Sequence, residues 1–163
     1  MPLRLSEEDI QRLLEERKPL PKNYVQRLML KPKRGHKERE MQAKGASGSD
    51  FRIIVRQNDL NPLDFSVILA YQAPNSNQFF RLRRYNGKHG EHTNKLEEQR
   101  FYNFHVHTAT ERYQALGFRE DTYAEPTSSY SNLDGALSCL LEDCGFDMPS
   151  DPQLELFREG GSP

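Results

Sequence analysis

The chain has 163 residues, 35% of them hydrophobic and 29% charged, with a formal net charge of -1 at pH 7. That length favours one domain, and seven Tyr and nine Phe argue against wholesale disorder. No apolar run is long enough to span a bilayer and no charged-then-apolar leader is apparent, so the expected location is cytoplasmic.

Ser6-Glu7-Glu8-Asp9 has the form of a capping box, and Leu5, Ile10, Leu13 and Leu14 fall on one stripe of the helix that would follow. Pro19 and Pro21 end it. A second helix is predicted over residues 22–30, with Tyr24, Val25, Leu28 and Met29 inward, completing an N-terminal helical segment over 1–32. Residues 33–50 lose periodicity and finish in Gly45-Ala46-Ser47-Gly48-Ser49, which reads as a basic flexible linker. Four strands are then predicted, at 51–57, 64–72, 78–85 and 100–108, with Asn86-Gly87 as a turn. Short spacing between them favours antiparallel pairing. After a long polar loop over 108–130, Ser131-Asn132-Leu133-Asp134 begins a last helix with Leu133, Leu137, Leu140, Leu141 and Cys144 on one side, and Gly145 just past its end. Cys139 and Cys144, the only cysteines, are then free thiols. The expected class is α+β: N-terminal helices, a central four-stranded, mostly antiparallel sheet and a C-terminal helix. The core domain covers 51–148, and 149–163 is a tail in which Leu154, Leu156 and Phe157 can dock.

The near-zero net charge conceals an asymmetry. Residues 1–118 carry seven more basic than acidic side chains, and residues 119–163 eight more acidic than basic ones. The densest basic stretch, residues 22–44, includes Lys31, Lys33, Arg34 and Lys37, a composition suited to nucleic acid or to a solvated arm that balances the acidic end.

Period-2 alternation assigns the strand faces. Tyr102, Phe104 and Val106 share one side of the fourth strand, and Asn103, His105 and His107 the other. In the third strand Phe80 and Leu82 oppose Arg81, Arg83 and Tyr85, and in the first Arg52 and Arg56 oppose an apolar triplet. Aligned, the polar sides make an open face of Arg52, Arg56, Arg81, Arg83, Tyr85, Asn103, His105 and His107. It is rich in phosphate donors and in groups that move protons near neutrality. Cleavage of RNA through its own 2′-hydroxyl needs an acid, a base and a cation on the phosphate. His105 and His107 are the candidate acid and base, Arg83 the phosphate clamp and Tyr85 its support. Arg52, Arg56 and Arg81, with Lys31, Lys33, Arg34 and Lys37, would hold the strand. The candidate activity is a metal-independent ribonuclease, and the architecture resembles the RelE-like ribonuclease toxins.

His105-x-His107-x-x-x-Glu111 resembles part of the metal motif of cupin barrels. That resemblance implies His105, His107 and Glu111 as ligands, with His92 nearby in sequence. No metal is otherwise expected. No cofactor is expected either, since a phosphate-binding Gly loop, a Cys-x-x-Cys pair and a nucleotide fingerprint are all missing.

Three stretches, Arg81–Lys88, Glu91–Lys95 and Phe104–Gln114, followed by Glu120–Pro126, together resemble a small uncharacterised prokaryotic family associated with mobile-element and defence neighbourhoods. The resemblance spans about residues 51–146. It implies no activity, but it suggests a toxin–antitoxin component. The leading expectation is therefore a small nucleic-acid-acting, toxin-like protein, with RNA favoured over DNA and no membrane partner. Its rivals are a non-catalytic antitoxin or inhibitor of a defence enzyme, with a partner encoded nearby, and a His-ligated metal-binding protein.

Overall fold

A computed structural model of the chain describes residues 3–88 and 90–149. The predicted tail lies outside these residues from 150 onward, as does His89. In chain order the elements are α1 (Glu7–Glu15), β1 (Lys18–Pro19), α2 (Tyr24–Arg27), β2 (Lys31–Pro32), β3 (His36–Lys44), β4 (Asp50–Asn58) and β5 (Phe65–Gln72). There follow β6 (Phe79–Asn86), β7 (His92–Asn94), β8 (Gln99–Phe101), β9 (His105–Thr108), α3 (Glu111–Ala115), β10 (Ala124–Pro126), α4 (Leu133–Asp143) and β11 (Phe146–Asp147).

The architecture corrects the expected one. Instead of a four-stranded sheet between terminal helices, the fold is mostly sheet, with four short helices. Seven antiparallel strands run in the order β10-β9-β6-β5-β4-β3-β2, beside a parallel β1–β11 pair and a separate β7–β8 hairpin. The predicted linker over 33–50 contains β3, paired with β4 along its whole length. Its alternation is masked because only Met41 and Ala43 are buried and the other side chains are polar. The Gly-Ser run is the β3–β4 turn. It is fixed by the Glu16 carboxylate, which accepts from the Ser47 and Ser49 amides (3.1 and 3.3 Å) and from the Ser49 hydroxyl (2.7 Å). A side chain at Gly45 would collide with that carboxylate and with Phe51. The predicted second helix shrinks to one turn, α2, and the predicted fourth strand divides into β8 and β9.

The helix ends follow local chemistry. The Ser6 hydroxyl accepts from the Asp9 amide at 3.1 Å, and the Asn132 side chain accepts from the Gly135 amide at 2.8 Å. Gly145, at φ +78°, closes α4 in the left-handed conformation.

One face of the large sheet carries Met41, Phe51, Ile53, Val55, Val67, Leu69 and Phe80. These are buried in one cluster with Ile10, Leu13 and Leu14 of α1 and Ala136, Leu140 and Leu141 of α4. The strand β6 holds one extra residue. Ala70 pairs with Arg81 but Leu69 pairs with Arg83, so Leu82 has no partner across the ladder. Beyond it the faces exchange: Arg83 and Tyr85 join the helix-covered face, and Arg84 takes the opposite one, beside His107.

The C-terminus of α1 is closed by a fully buried lysine. Lys18 Nζ donates to the carbonyls of Leu13 (2.8 Å), Leu14 (3.3 Å), Glu16 (2.8 Å) and Cys144 (2.7 Å) and lies 4.4 Å from the Phe51 ring centroid. Burial lowers its pKa to about 8, so the ammonium persists at neutral pH. Helix-terminal carbonyls that lose such a donor have no water to replace it. Lys18→Met keeps the apolar stem and removes the donor. It is expected to cost roughly 2–4 kcal/mol, read as a lower urea midpoint at unchanged m-value.

Candidate metal centre

The strand β9 pairs with β6 so that His105 faces Asn86 and His107 faces Arg84. As predicted from alternation, the two imidazoles leave the face that Val106 shares with Tyr85. They do not reach solvent: His105 is 2% and His107 4% exposed. The expected open face is covered here by the β7–β8 hairpin, whose His92 ring stacks on His105 at a centroid distance of 5.3 Å and meets His107 edge-on at 4.8 Å. Phe101 of the same hairpin closes on His92 and His105 at 5.3 and 5.6 Å.

Each ring is held by one of its nitrogens. His107 Nδ1 donates to the Asp121 carbonyl (2.7 Å) and His105 Nδ1 to the Asn103 carbonyl (2.8 Å). Carbonyls only accept, so these nitrogens carry the protons. His92 Nε2 lies 2.7 Å from Asn94 Oδ1. Asn94 is fully buried and paired both ways with Ala124 of β10: its amide donates to the Ala124 carbonyl, and its Oδ1 accepts from the Ala124 amide. That pairing fixes which end of Asn94 is oxygen, so His92 is the donor. In a neutral imidazole the nitrogen without the proton bears the lone pair. One ligand atom from each of His92, His105 and His107 lies within 4.8 Å of the others. Burial, with Arg84 and the other two rings, drives the His107 pKa down to about 2, so its ring is neutral, the form that ligates.

Glu111 does not join them. It starts α3, where its carboxylate accepts from the Glu7 amide and its own amide donates to the Glu7 carboxylate. Arg83 and Tyr85 are not with the histidines either, because the extra residue in β6 turns them to the helix-covered face. There the Tyr85 hydroxyl donates to Asp143 at 2.8 Å with Arg83 alongside. The four proposed ribonuclease groups therefore stand on opposite sides of the sheet. Asn103 lies before β9 and contributes only its carbonyl.

Arg52, Arg56 and Arg81 do share the face of the histidines, but each meets a carboxylate. Arg52 pairs with Glu40 (2.7 Å), Arg56 with Glu38 (2.9 Å), and Arg81 with Glu120 (3.7 Å) and Asp121 (3.4 Å). Glu120 also accepts the Arg81 amide at 3.0 Å. The 108–130 segment, which contains α3 and β10, thus neutralises part of the arginine face. Asp121, 1% exposed, is its centre. Arg84 at 3.2 Å and Arg119 at 3.6 Å join Arg81 around it, and its carbonyl orients His107. Lys31, Lys33, Arg34 and Lys37 stand apart on the exposed β2–β3 hairpin, with no ion pair among the described residues. Asn94 and Arg84 were not singled out by sequence reasoning. The His92-x-Asn94 spacing, the same i, i+2 pattern as His105-x-His107, is the signal for the first.

No helix among the described residues is long and apolar enough to cross a membrane. No family model, curated protein or solved structure matches the chain.

The centre depends on Asp121. Removing one partner of a fully buried ion pair costs roughly 3–5 kcal/mol. Arg81 and Arg84 retain some water contact, so Asp121→Ala is expected to cost about 2–3 kcal/mol by chemical denaturation. Asp121→Asn, which keeps the side chain's size and removes only its charge, should still lose most of that stability.

Proposed function

We propose that this chain is a metal-binding protein that holds a divalent transition ion, zinc foremost, through His92, His105 and His107. The observation that carries the reading is the convergence of one ligand atom from each of three imidazoles within 4.8 Å, on rings that are each oriented by a hydrogen bond. Such outer bonds to carbonyls and amides are the usual support of metal-ligating histidines. A tetrahedral ion at 2.0–2.1 Å sets its nitrogens about 3.3 Å apart, so the widest separation of 4.8 Å has to close by about 1.5 Å. Three protein ligands leave a coordination position for water or substrate, the composition of a hydrolytic rather than a purely structural centre.

Calorimetry of chelator-stripped protein with Zn²⁺ tests this. One ion per chain is expected, with affinity lost at least tenfold in His92→Ala and in His107→Ala. Co²⁺ should bind with the visible absorption of a four-coordinate nitrogen site. A stripped protein that takes up neither ion stoichiometrically refutes the reading and leaves the three rings as a packed aromatic cluster.

One observation favours a second reading, nucleic-acid binding. Lys31, Lys33, Arg34 and Lys37 are exposed without carboxylate partners among the described residues. If these four cations contact phosphates of single-stranded RNA, the logarithm of the affinity should fall with the logarithm of salt at a slope of about -3. Replacing all four by Ala should flatten it. Titration of labelled RNA at several salt concentrations measures both, and a slope that the replacement does not change rules the hairpin out.

A further inference from the structure

The histidine face of the sheet is continuous with a cleft of about 340 Å³ whose lining includes Arg34, His36, Arg56, Ser66 and Arg84. Two links tie it to the three histidines. Arg84 lines the cleft and is the cross-strand partner of His107. Ser66 lines it and donates its hydroxyl at 2.8 Å to Asn86, the cross-strand partner of His105. Side chains opposite one another on adjacent strands stand about 5 Å apart, so the cleft begins one strand away from the candidate ion.

Its charge is unevenly spent. Arg34, Arg56 and Arg84 line it against a single carboxylate, Asp64. Arg56 shares Glu38, and the same Glu38 lies 3.6 Å from His36. Arg84 shares Asp121 with Arg81 and Arg119, so three guanidiniums divide Asp121 and Glu120 between them. Arg84 Nε is buried and lies 3.2 Å from Asp121 Oδ2 without hydrogen-bond geometry, so its pairing there is electrostatic only. Arg34 has no ion pair there. It is brought to the cleft by the tight turn at Gly35 (φ +81°), whose carbonyl accepts from Asp59 of the β4–β5 connection. A guanidinium offers five donors in a plane, and one carboxylate occupies at most two of them.

We infer that this cleft seats the phosphate group of a phosphate ester whose remainder reaches toward the three histidines. Arg34 and Arg56 act as the outer clamp and Arg84 as the inner one. The position of this seat beside an ion rests on the metal-binding reading, but the seat itself is built from other residues.

The test uses the full-length chain, stripped of metal and then loaded with Zn²⁺, and three probes: inorganic phosphate, adenosine 5′-monophosphate and a short single-stranded RNA. Stripped protein is expected to bind phosphate and the mononucleotide, with affinity falling about tenfold in Arg34→Ala and in Arg56→Gln, two exposed or half-exposed positions outside the histidine centre. The mononucleotide should compete with the RNA if the cleft reads one phosphate of the polymer. Zn²⁺ binding without phosphate binding in either state overturns the inference and spares the metal reading. Phosphate binding without Zn²⁺ uptake does the reverse. Phosphate and mononucleotide binding unchanged in both arginine variants assigns the anion to another surface and overturns the cleft.

Discussion

A single unpaired residue in β6 decides what this sheet can do. Up to Arg81 the strand alternates in step with β5. Leu82 is then inserted, and every later side chain changes face. Without that insertion Arg83 and Tyr85 would stand beside the histidines. With it, Tyr85 is buried against α4, where its hydroxyl donates to Asp143 and its pKa is pushed up, chiefly by burial. Arg84 takes the vacated side, next to His107. Leu82 is itself fully buried and its carbonyl accepts from the Ala109 amide, so the irregularity is anchored where the chain leaves β9.

Putting Arg81 and Arg84 on one half-covered face creates a charge problem that the later chain answers. Guanidiniums withdrawn from water need carboxylates nearby. Burial lowers the Arg84 pKa while Asp121 opposes that shift. Glu120 and Asp121 arrive from the segment after α3, and Glu38 and Glu40 from β3 across the sheet. The basic excess of the first 118 residues and the acidic excess of the rest are therefore partly two halves of one internal network. The surplus that remains is local, at the β2–β3 hairpin and in the cleft below it.

The parts of the fold legible from sequence were those whose side chains divide cleanly between core and water. α1, α4, β4, β5 and the start of β6 all show it: Ile10, Leu13 and Leu14 lie on one stripe, and Ile53, Val55, Val67 and Leu69 on one side. What escaped were strands that bury little or bury polar groups. β3 buries two of nine residues, and β7 buries only Asn94. β10 and β11 are two or three residues long and exist through partners distant in sequence, such as Ala124 opposite His107. Local pattern contains no information about those partners. Nor does it reveal the insertion at Leu82, since Phe80, Leu82, Arg83 and Tyr85 can be read as regular alternation or as a shifted one.

The histidines show where the alternation argument holds and where it stops. Period 2 separates His105 and His107 from Val106, and they do lie on the side away from the helix-covered core. The further step, that the second side must be open, assumed a sheet with one covered face. Here the β7–β8 hairpin just upstream folds back over β9, held by the two-way pairing of Asn94 with Ala124. It delivers His92 to the other two rings. Burial of His105 and His107 is tolerable because each ring is hydrogen-bonded. Rings oriented by hydrogen bonds, with one ligand atom of each gathered within 4.8 Å, are what an ion requires. The cover that removed His105 and His107 from the role of exposed acid and base is thus what gathers them into a ligand set.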